Sequence, residues 1–445
     1  MTTPDTTIFE TRESQVRSYC REWPAVFDTA QGVHQFTEDG KRYVDFFSGA
    51  GALNYGHNNP ELKKYLVEYL GGDHVVHSLD TYTVAKREFL QTFQDLILTP
   101  RNLDYKVQFP GPTGTNAVET ALKIARKCTG RSDVVSFTNA FHGMTLGSLA
   151  VTGNSMKRAG AGTPLYHSNT APYDDYFDGE TADFMWLDRT WSDSGSGLDI
   201  PAAVIVETVQ GEGGLKAART VWLRELQALC RRHGVLLIVD DVQAGCGRTG
   251  RFFSFEEAGL EPDIVCLSKS ISGYGLPMSL TLMRPELDQW EPGEHNGTFR
   301  GHNPAFVTAT AALKTYWADD ALEQNIAARA EQLRDGLQRI IARTEGASLR
   351  GRGLLTGVAF ADTEVAGKIQ AAAFERGLLV ETSGPSSEVV KVMPALTITE
   401  AEMAEGLEIL VDAASAVLHP SASTSARAIP TVTEDTEREP ALAAS

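Results

Sequence analysis

Four short stretches of the chain carry residues whose types and spacing could do chemistry: GPTGTNAVE at 111–119, FHG at 141–143, VDDVQAGCGRTG at 239–250 and SKSISG at 268–273. Lys269 follows the apolar run Ile264–Leu267. A lysine at a strand end inside a cleft is desolvated, which lowers its pKa and favours Schiff-base chemistry. Asp240 follows Val235–Val239, at the carboxyl end of a strand, where open α/β sheets bind ligands. A carboxylate there needs a cationic or N–H partner. GPTGTN closes a group of turn residues and opens a helix, so free backbone amides, the close approach allowed by Gly114 and the hydroxyl of Thr115 suit a phosphate. Phe141 and His142 come after the run Val134–Phe137, and a ring there can stack on a flat ligand. Taken singly, each has an ordinary reading: a solvated lysine, a hydrogen-bonded aspartate, a capped helix, a core phenylalanine. Taken together, a phosphate cradle, a stacking ring, a carboxylate and an amine are the contacts that pyridoxal 5′-phosphate requires. Asp240 would keep the pyridine nitrogen protonated and make the ring an electron sink.

These stretches need a scaffold, and the pattern around them supplies one. Short apolar runs at Val134–Phe137, Ala203–Val206, Val235–Val239 and Ile264–Leu267 alternate with helical patterns at Asn116–Cys128 and Thr220–His233. That alternation predicts an α/β unit on a mostly parallel sheet. VHQFTEDGKRYVDFF predicts a hairpin turning at Asp39-Gly40. A long helix is expected from Leu322 to about Thr344, then a strand in LRGRGLLTGVAF, then a last amphipathic helix carrying Met403, Leu407, Leu410 and Val411. WSDSGSG at 191–197 reads as an exposed loop, and the stretch from 421 to 445 as a disordered tail. The expected domains are an N-terminal segment at 1–75 joining a small domain, a large domain at 76–315, and the C-terminal small domain at 316–420.

Composition removes other classes. Lys plus Arg is 40 and Asp plus Glu is 58 among 445 residues, a net charge of −18. Polyanion and anionic-membrane binding need clustered Lys and Arg, so neither a nucleic-acid nor a membrane partner is expected. The five cysteines stand far apart with no C-x-x-C pair, which argues against a disulfide framework or a zinc ribbon and for a reducing cytoplasm. The N-terminal sequence has no apolar signal segment, and no run approaches the roughly 20 residues of a membrane span. No complete G-x-G-x-x-G, Walker A, H-E-x-x-H or G-x-S-x-G occurs, and the ten histidines have no ligand spacing, so no metal site is expected.

The strand–DD-x-Q-x-G-x-G-R-T-G stretch, the downstream Lys269, and ETVQGEGG at 207–214 resemble the class III (ω-amino acid) aminotransferases, of fold type I among pyridoxal-phosphate enzymes. The resemblance runs from about Phe9 to about Leu418. FFSGAGALNYGHNNP, VAKREFL, DYKVQFPGPTGTNAVE, KRAGAG and GEHNGTFRGHNPAF narrow it to the branch that forms L-2,4-diaminobutyrate for ectoine synthesis. The resemblance implies a large domain with a mostly parallel seven-stranded sheet and a smaller α+β domain. It implies transfer of an amino group from L-glutamate to L-aspartate 4-semialdehyde by a ping-pong route. It makes Lys269 the Schiff-base lysine and proton shuttle, pairs Asp240 with the pyridine nitrogen and brings Gln243 to the ring hydroxyl. Gly114 and Thr115 hold the phosphate, Phe141 stacks, and His142 and Glu207 support the cofactor. Thr298, in NGTF, matches a threonine that reaches the neighbouring subunit's phosphate, implying a homodimer or dimer of dimers with shared sites. Glu212 matches a glutamate that gates an arginine. The loop with Ala52, Leu53 and Asn54 is expected at the substrate end, and potassium is a second candidate cofactor. Small amino-acid and aldehyde substrates are the implied partners.

Two positions depart from the wider family pattern. Lys391, in VVKVMPALTI, stands where many relatives have an arginine that pairs with the gating glutamate and binds a carboxylate. Lysine offers a point charge in place of a bidentate fork. That leaves three readings: looser carboxylate binding, a receptor elsewhere such as Arg300, or a solvated strand residue. Lysine here also favours the diaminobutyrate-forming branch. Asp241 replaces a glutamate, a mild change. Other ω-aminotransferase activities, on ornithine, acetylornithine or 4-aminobutyrate, remain alternatives, as does diaminobutyrate supply to a siderophore or peptide pathway.

Overall fold

The computed structural model describes residues 5–177 and 183–419; the tail expected at 421–445 lies outside the described residues. Seven strands form the central sheet: β1 (Lys106–Gln108), β2 (Val134–Phe137), β3 (Ser168–Ala171), β4 (Ala203–Val206), β5 (Leu236–Asp240), β6 (Ile264–Leu267) and β7 (Leu280–Met283). Their spatial order is β1-β7-β6-β5-β4-β2-β3. The five strands from β6 across to β3 are parallel, whereas β7 runs antiparallel to both β6 and β1. Apolar runs without polar alternation become central strands because both faces are covered. Val134, Ile205, Ile238 and Ile264 face one core, shared with Val118, Ala121 and Leu122. Val135, Val204, Leu237 and Val265 face the other, shared with Trp222, Leu223 and Leu226.

The two covering helices are α1 (Gly114–Thr129) and α2 (Thr220–His233). Thr113 and Asn116 close a capping box at the start of α1, satisfying amides that would otherwise lack partners. Both helices stop at a glycine in the left-handed region, Gly130 (φ 67°) and Gly234 (φ 57°).

Two four-stranded sheets flank this unit. One joins Phe27–Gln31, His34–Thr37 and Arg42–Asp45 to the late strand Leu378–Leu379, which pairs in parallel with Arg42–Asp45. The hairpin expected around Asp39-Gly40 is present. The other sheet joins Ser348–Arg352, Leu355–Ala359, Val389–Val392 and Glu381–Ser383, all antiparallel. Here the structure corrects a sequence expectation: LRGRGLLTGVAF is a two-stranded hairpin, turning at Gly353 (φ 63°), where one strand was read. A second correction concerns WSDSGSG. Trp191 and Ser192 end the helix Met185–Ser192, and Trp191 is buried edge-on against His233. The long helix is Ala321–Ile341 and the last is Glu400–Leu418.

The N-terminal segment meets the central unit at residues 48–51. Asp45 accepts hydrogen bonds from the amides of Phe47 (2.7 Å) and Ser48 (2.8 Å) and faces His57 Nε2 at 2.7 Å. The chain then passes through the left-handed region at four successive residues, Ser48, Gly49, Ala50 and Gly51. Just beyond, Asn54 is buried at 1 % exposure. Its amide donates to the Cys246 carbonyl at 2.9 Å and its oxygen accepts from the fully buried Arg248 guanidinium. Arg248 also donates to the carbonyls of Leu354 (3.2 Å) and Pro394, so one cation ties three parts of the chain together. Replacing Asn54 by Leu leaves a buried guanidinium N–H unsatisfied and should cost roughly 1–3 kcal/mol. The urea midpoint reads this, and a variant as stable as the parent would remove Asn54 from that role.

Candidate functional site

The parallel strands deliver their next residues to one rim. Phe141 and His142 follow β2, Glu207 follows β4, Asp240 ends β5, and Lys269 lies two residues past β6. The N-terminus of α1 brings Gly114 and Thr115 to the same rim. Together with Gly143, Glu212, Val242 and Gln243 these residues line a cavity of about 170 Å³. This is the carboxyl-end crevice of an open α/β sheet.

Asp240 is held at both oxygens. One accepts the Val242 amide at 3.1 Å and the other lies 2.7 Å from His142 Nδ1. Burial works against a charge on His142, but the hydrogen bond to Asp240 and the Asp240 charge outweigh it and raise its pKa. Burial raises the Glu207 carboxyl to about 7. Its oxygens accept the amides of Phe141 (3.0 Å) and Gly211 (3.3 Å), so Glu207 fixes the backbone that carries the aromatic ring.

Lys269 has a left-handed backbone (φ 54°), unusual for a side chain of this size. Its amine donates to the Ala50 carbonyl at 2.8 Å, and Gln243 donates to the same carbonyl at 3.0 Å. Removal from water, then repulsion from Lys391, lowers the Lys269 pKa to about 8. Ala50 went unnoticed in the sequence. The glycine-rich SGAG stretch was the available signal, since only a chain tolerant of positive φ turns its carbonyl inward there.

Lys391 is fully buried. It sits directly across from Glu381 in the antiparallel ladder and pairs with that carboxylate at 2.9 Å. It also pairs with Glu212 at 2.9 Å and donates to Gln243 Oε1 at 3.1 Å. The solvated-strand reading of Lys391 is therefore corrected: it is an enclosed cation between two carboxylates. Those carboxylates raise its pKa despite burial. Burial disfavours the Glu212 charge, but Lys391 and Lys269 outweigh it and hold this carboxyl low, at about 2. Burial raises Glu381, whose second oxygen accepts the Tyr19 hydroxyl at 3.4 Å. Neither Glu381 nor Tyr19 was singled out from sequence, because only strand pairing and chain return bring them here.

Other expected residues stand apart. Asn54 is corrected as a substrate contact, because its amide is occupied by Cys246 and Arg248 inside the core. Leu53 packs where a side chain on Gly275 would stand, and its neighbour Ala52 is half-buried; neither lines the cavity. Thr298 is exposed and does not line its own chain's cavity. Arg300 turns its guanidinium to the His295 carbonyl (3.2 Å) and Asn296 (3.1 Å).

The cavity fits pyridoxal 5′-phosphate by its donor set. An amine of lowered pKa can meet an aldehyde, and a twice-anchored carboxylate can meet a ring nitrogen. The first-turn amides of α1, which have no intrahelical partner, and the Thr115 hydroxyl can meet a phosphate. A side chain at Gly114 would come within 2.8 Å of Val242, and one at Gly143 would collide with Thr115. Both glycines keep the cradle open.

Residues 18–414 match the family described as Aminotransferase class-III. A diaminobutyrate–2-oxoglutarate transaminase of Streptomyces avermitilis is 65% identical over 416 residues, 93% of this chain and 98% of the relative. One from Halalkalibacterium halodurans is 56% identical, covering 94% and 98%. Among solved structures, an ornithine aminotransferase of Toxoplasma gondii, described with partial occupancy of PLP at its active site, superposes with a TM-score of 0.79 at 26% identity, covering 92% of this chain and 93% of that one.

The lowered Lys269 pKa has a direct readout in the cofactor-free protein. Acylation of Lys269 by an amine-selective reagent, followed by peptide mass mapping, should rise through a midpoint near 8. A midpoint at the ordinary lysine value of 10.5 would contradict the enclosed site.

Proposed function

The chain belongs to the class-III aminotransferases, and from that premise we propose that it transfers the amino group of L-glutamate to the aldehyde carbon of L-aspartate 4-semialdehyde. The products are 2-oxoglutarate and L-2,4-diaminobutyrate, formed in two half-reactions at one site. The observation that carries the substrate assignment is identity of 56–65% to transaminases of that name over more than nine-tenths of the chain. Pyridoxal 5′-phosphate, when bound, supplies the carbon that accepts the amino group and a protonated ring that stores the electron pair released with the substrate proton.

The residues divide the remaining work. Lys269 would hold the cofactor's aldehyde end, then take the proton from the substrate carbon and deliver it to the cofactor carbon that accepts the amino group. With a pKa of about 8, a useful share of its amine is neutral near physiological pH. Asp240, anchored by His142 and the Val242 amide, pairs with the ring nitrogen. Gln243, fixed by Ala50 and Lys391, would meet the ring hydroxyl, and Phe141, whose amide Glu207 holds, would stack on the ring. The α1 N-terminus with Thr115 holds the phosphate. Thr298, on an exposed segment, would reach the phosphate of a second copy, which makes the working unit a homodimer or a dimer of dimers with shared sites. The enzyme acts in the cytoplasm and supplies ectoine synthesis.

Purified enzyme given glutamate and a panel of aldehydes and amines decides the acceptor. Aspartate semialdehyde should be aminated, with parallel double-reciprocal lines for the two substrates. Turnover of ornithine or 4-aminobutyrate with none of the semialdehyde would overturn the assignment. Lys269→Ala should abolish turnover while the protein still folds.

A further inference from the structure

A second cavity, also of about 170 Å³, adjoins the first and shares Phe141 and Glu212 with it. Its other walls come from two places: Asn139, Asn154, Ser155 and Lys157 on one side, Gly213 and Pro385 on the other. Lys157 belongs to the KRAGAG stretch, none of whose residues lines the first cavity.

The chemistry of the reaction makes a demand on this space. Glutamate reacts at its amino-bearing carbon and carries a second carboxylate at the remote end. Aspartate semialdehyde reacts at its aldehyde and carries a carboxylate, with the neighbouring ammonium, at the remote end. Both substrates therefore bring a remote carboxylate to one site, in a protein of net charge −18. A local cation must receive it.

The cations near the cavities can be taken in turn. Lys269 is committed to the reacting carbon. Lys391 is enclosed and already offset by two carboxylates. Arg350 pairs with Glu388 at 3.3 Å, and Arg300 is turned to its own loop. Arg158 donates to the carbonyls of Ala150 and Thr152, both at 2.9 Å. Lys157 makes no ion pair at contact distance among the described residues; its ammonium lies 4.3 Å from the centre of the Phe141 ring, and its charge is felt at longer range by Glu212 on the shared wall. It is half-buried, where a charge is attracted more strongly than on open surface.

We propose that the second cavity is the subsite for the remote carboxylate of both substrates, with Lys157 as its receptor. This rests on glutamate being the amino donor. The subsite lets one place serve both half-reactions, and it relieves Lys391 of carboxylate binding, leaving it to hold Glu212 and Gln243.

The test is the glutamate half-reaction of the holoenzyme, followed by the change in cofactor absorbance, in the parent and in Lys157→Gln. The half-saturating glutamate and 2-oxoglutarate concentrations should rise roughly tenfold or more, as expected for loss of a charge-assisted contact, while the maximal rate stays within about threefold. L-Alanine, which has no remote carboxylate, serves as the control, and its kinetics should shift by less than about twofold. Lys157→Arg should recover most of the glutamate affinity. Unchanged glutamate saturation, or equal losses with glutamate and alanine, would overturn the proposal, the latter by assigning Lys157 to support of Phe141. A parent that reacts with glutamate but not with aspartate semialdehyde overturns the acceptor assignment and leaves the Lys157 comparison intact. A parent inert to glutamate overturns both.

Discussion

A charge withdrawn from water must find a partner, and most of this site's geometry follows from that requirement. Asp240 lies between the Val242 amide and His142. Lys391 lies between Glu212 and Glu381. Arg248 is surrounded by carbonyls and Asn54. Among the described residues Lys269 has only the Ala50 carbonyl as a hydrogen-bond acceptor, with no carboxylate in contact, and its pKa is lowered to about 8. Asp240 and Lys391 have ionisable partners in place, whereas Arg248 has, among the described residues, only neutral oxygens and a buried Nε without an acceptor, and burial lowers its pKa to about 9.

The pairing also explains why the N-terminal segment and the C-terminal strands belong to the site. Ala50 is carried on a left-handed turn that Asp45 anchors, and it receives both Lys269 and Gln243. Lys391 comes from a flanking antiparallel sheet and reaches Glu212, which follows β4 of the central sheet. Gln243 bridges the two by donating to Ala50 and accepting from Lys391.

Much of the central unit was legible in the chain. Val134–Phe137, Ala203–Val206, Ile264–Leu267 and Thr220–His233 coincide with their observed elements, because continuous apolar runs and a helical stripe are local properties. The hairpin at 348–359 was misread as one strand, since both arms are short and the turn lies inside an apolar stretch. Trp191 was placed in a loop because its neighbours are Ser, Asp and Gly, yet its ring is buried against His233. Asn54 was assigned to substrate from its loop; its real partners are almost two hundred residues away in the chain, at Cys246 and Arg248.

By itself the sequence located four strands and two helices of the central unit, the rim residues Phe141, Asp240 and Lys269, and the helix start at Gly114 and Thr115. Each of these depends on a residue's position relative to the element it ends or begins, and that is written locally. Tertiary structure decided what those groups experience. It paired Lys391 with Glu381 through strand register, turned the Ala50 carbonyl onto Lys269, and left Lys157 beside Phe141 with no carboxylate in contact among the described residues. The reason is that a pKa, an ion pair or an open cation depends on distances between residues far apart in the chain, and only the closed fold sets those distances.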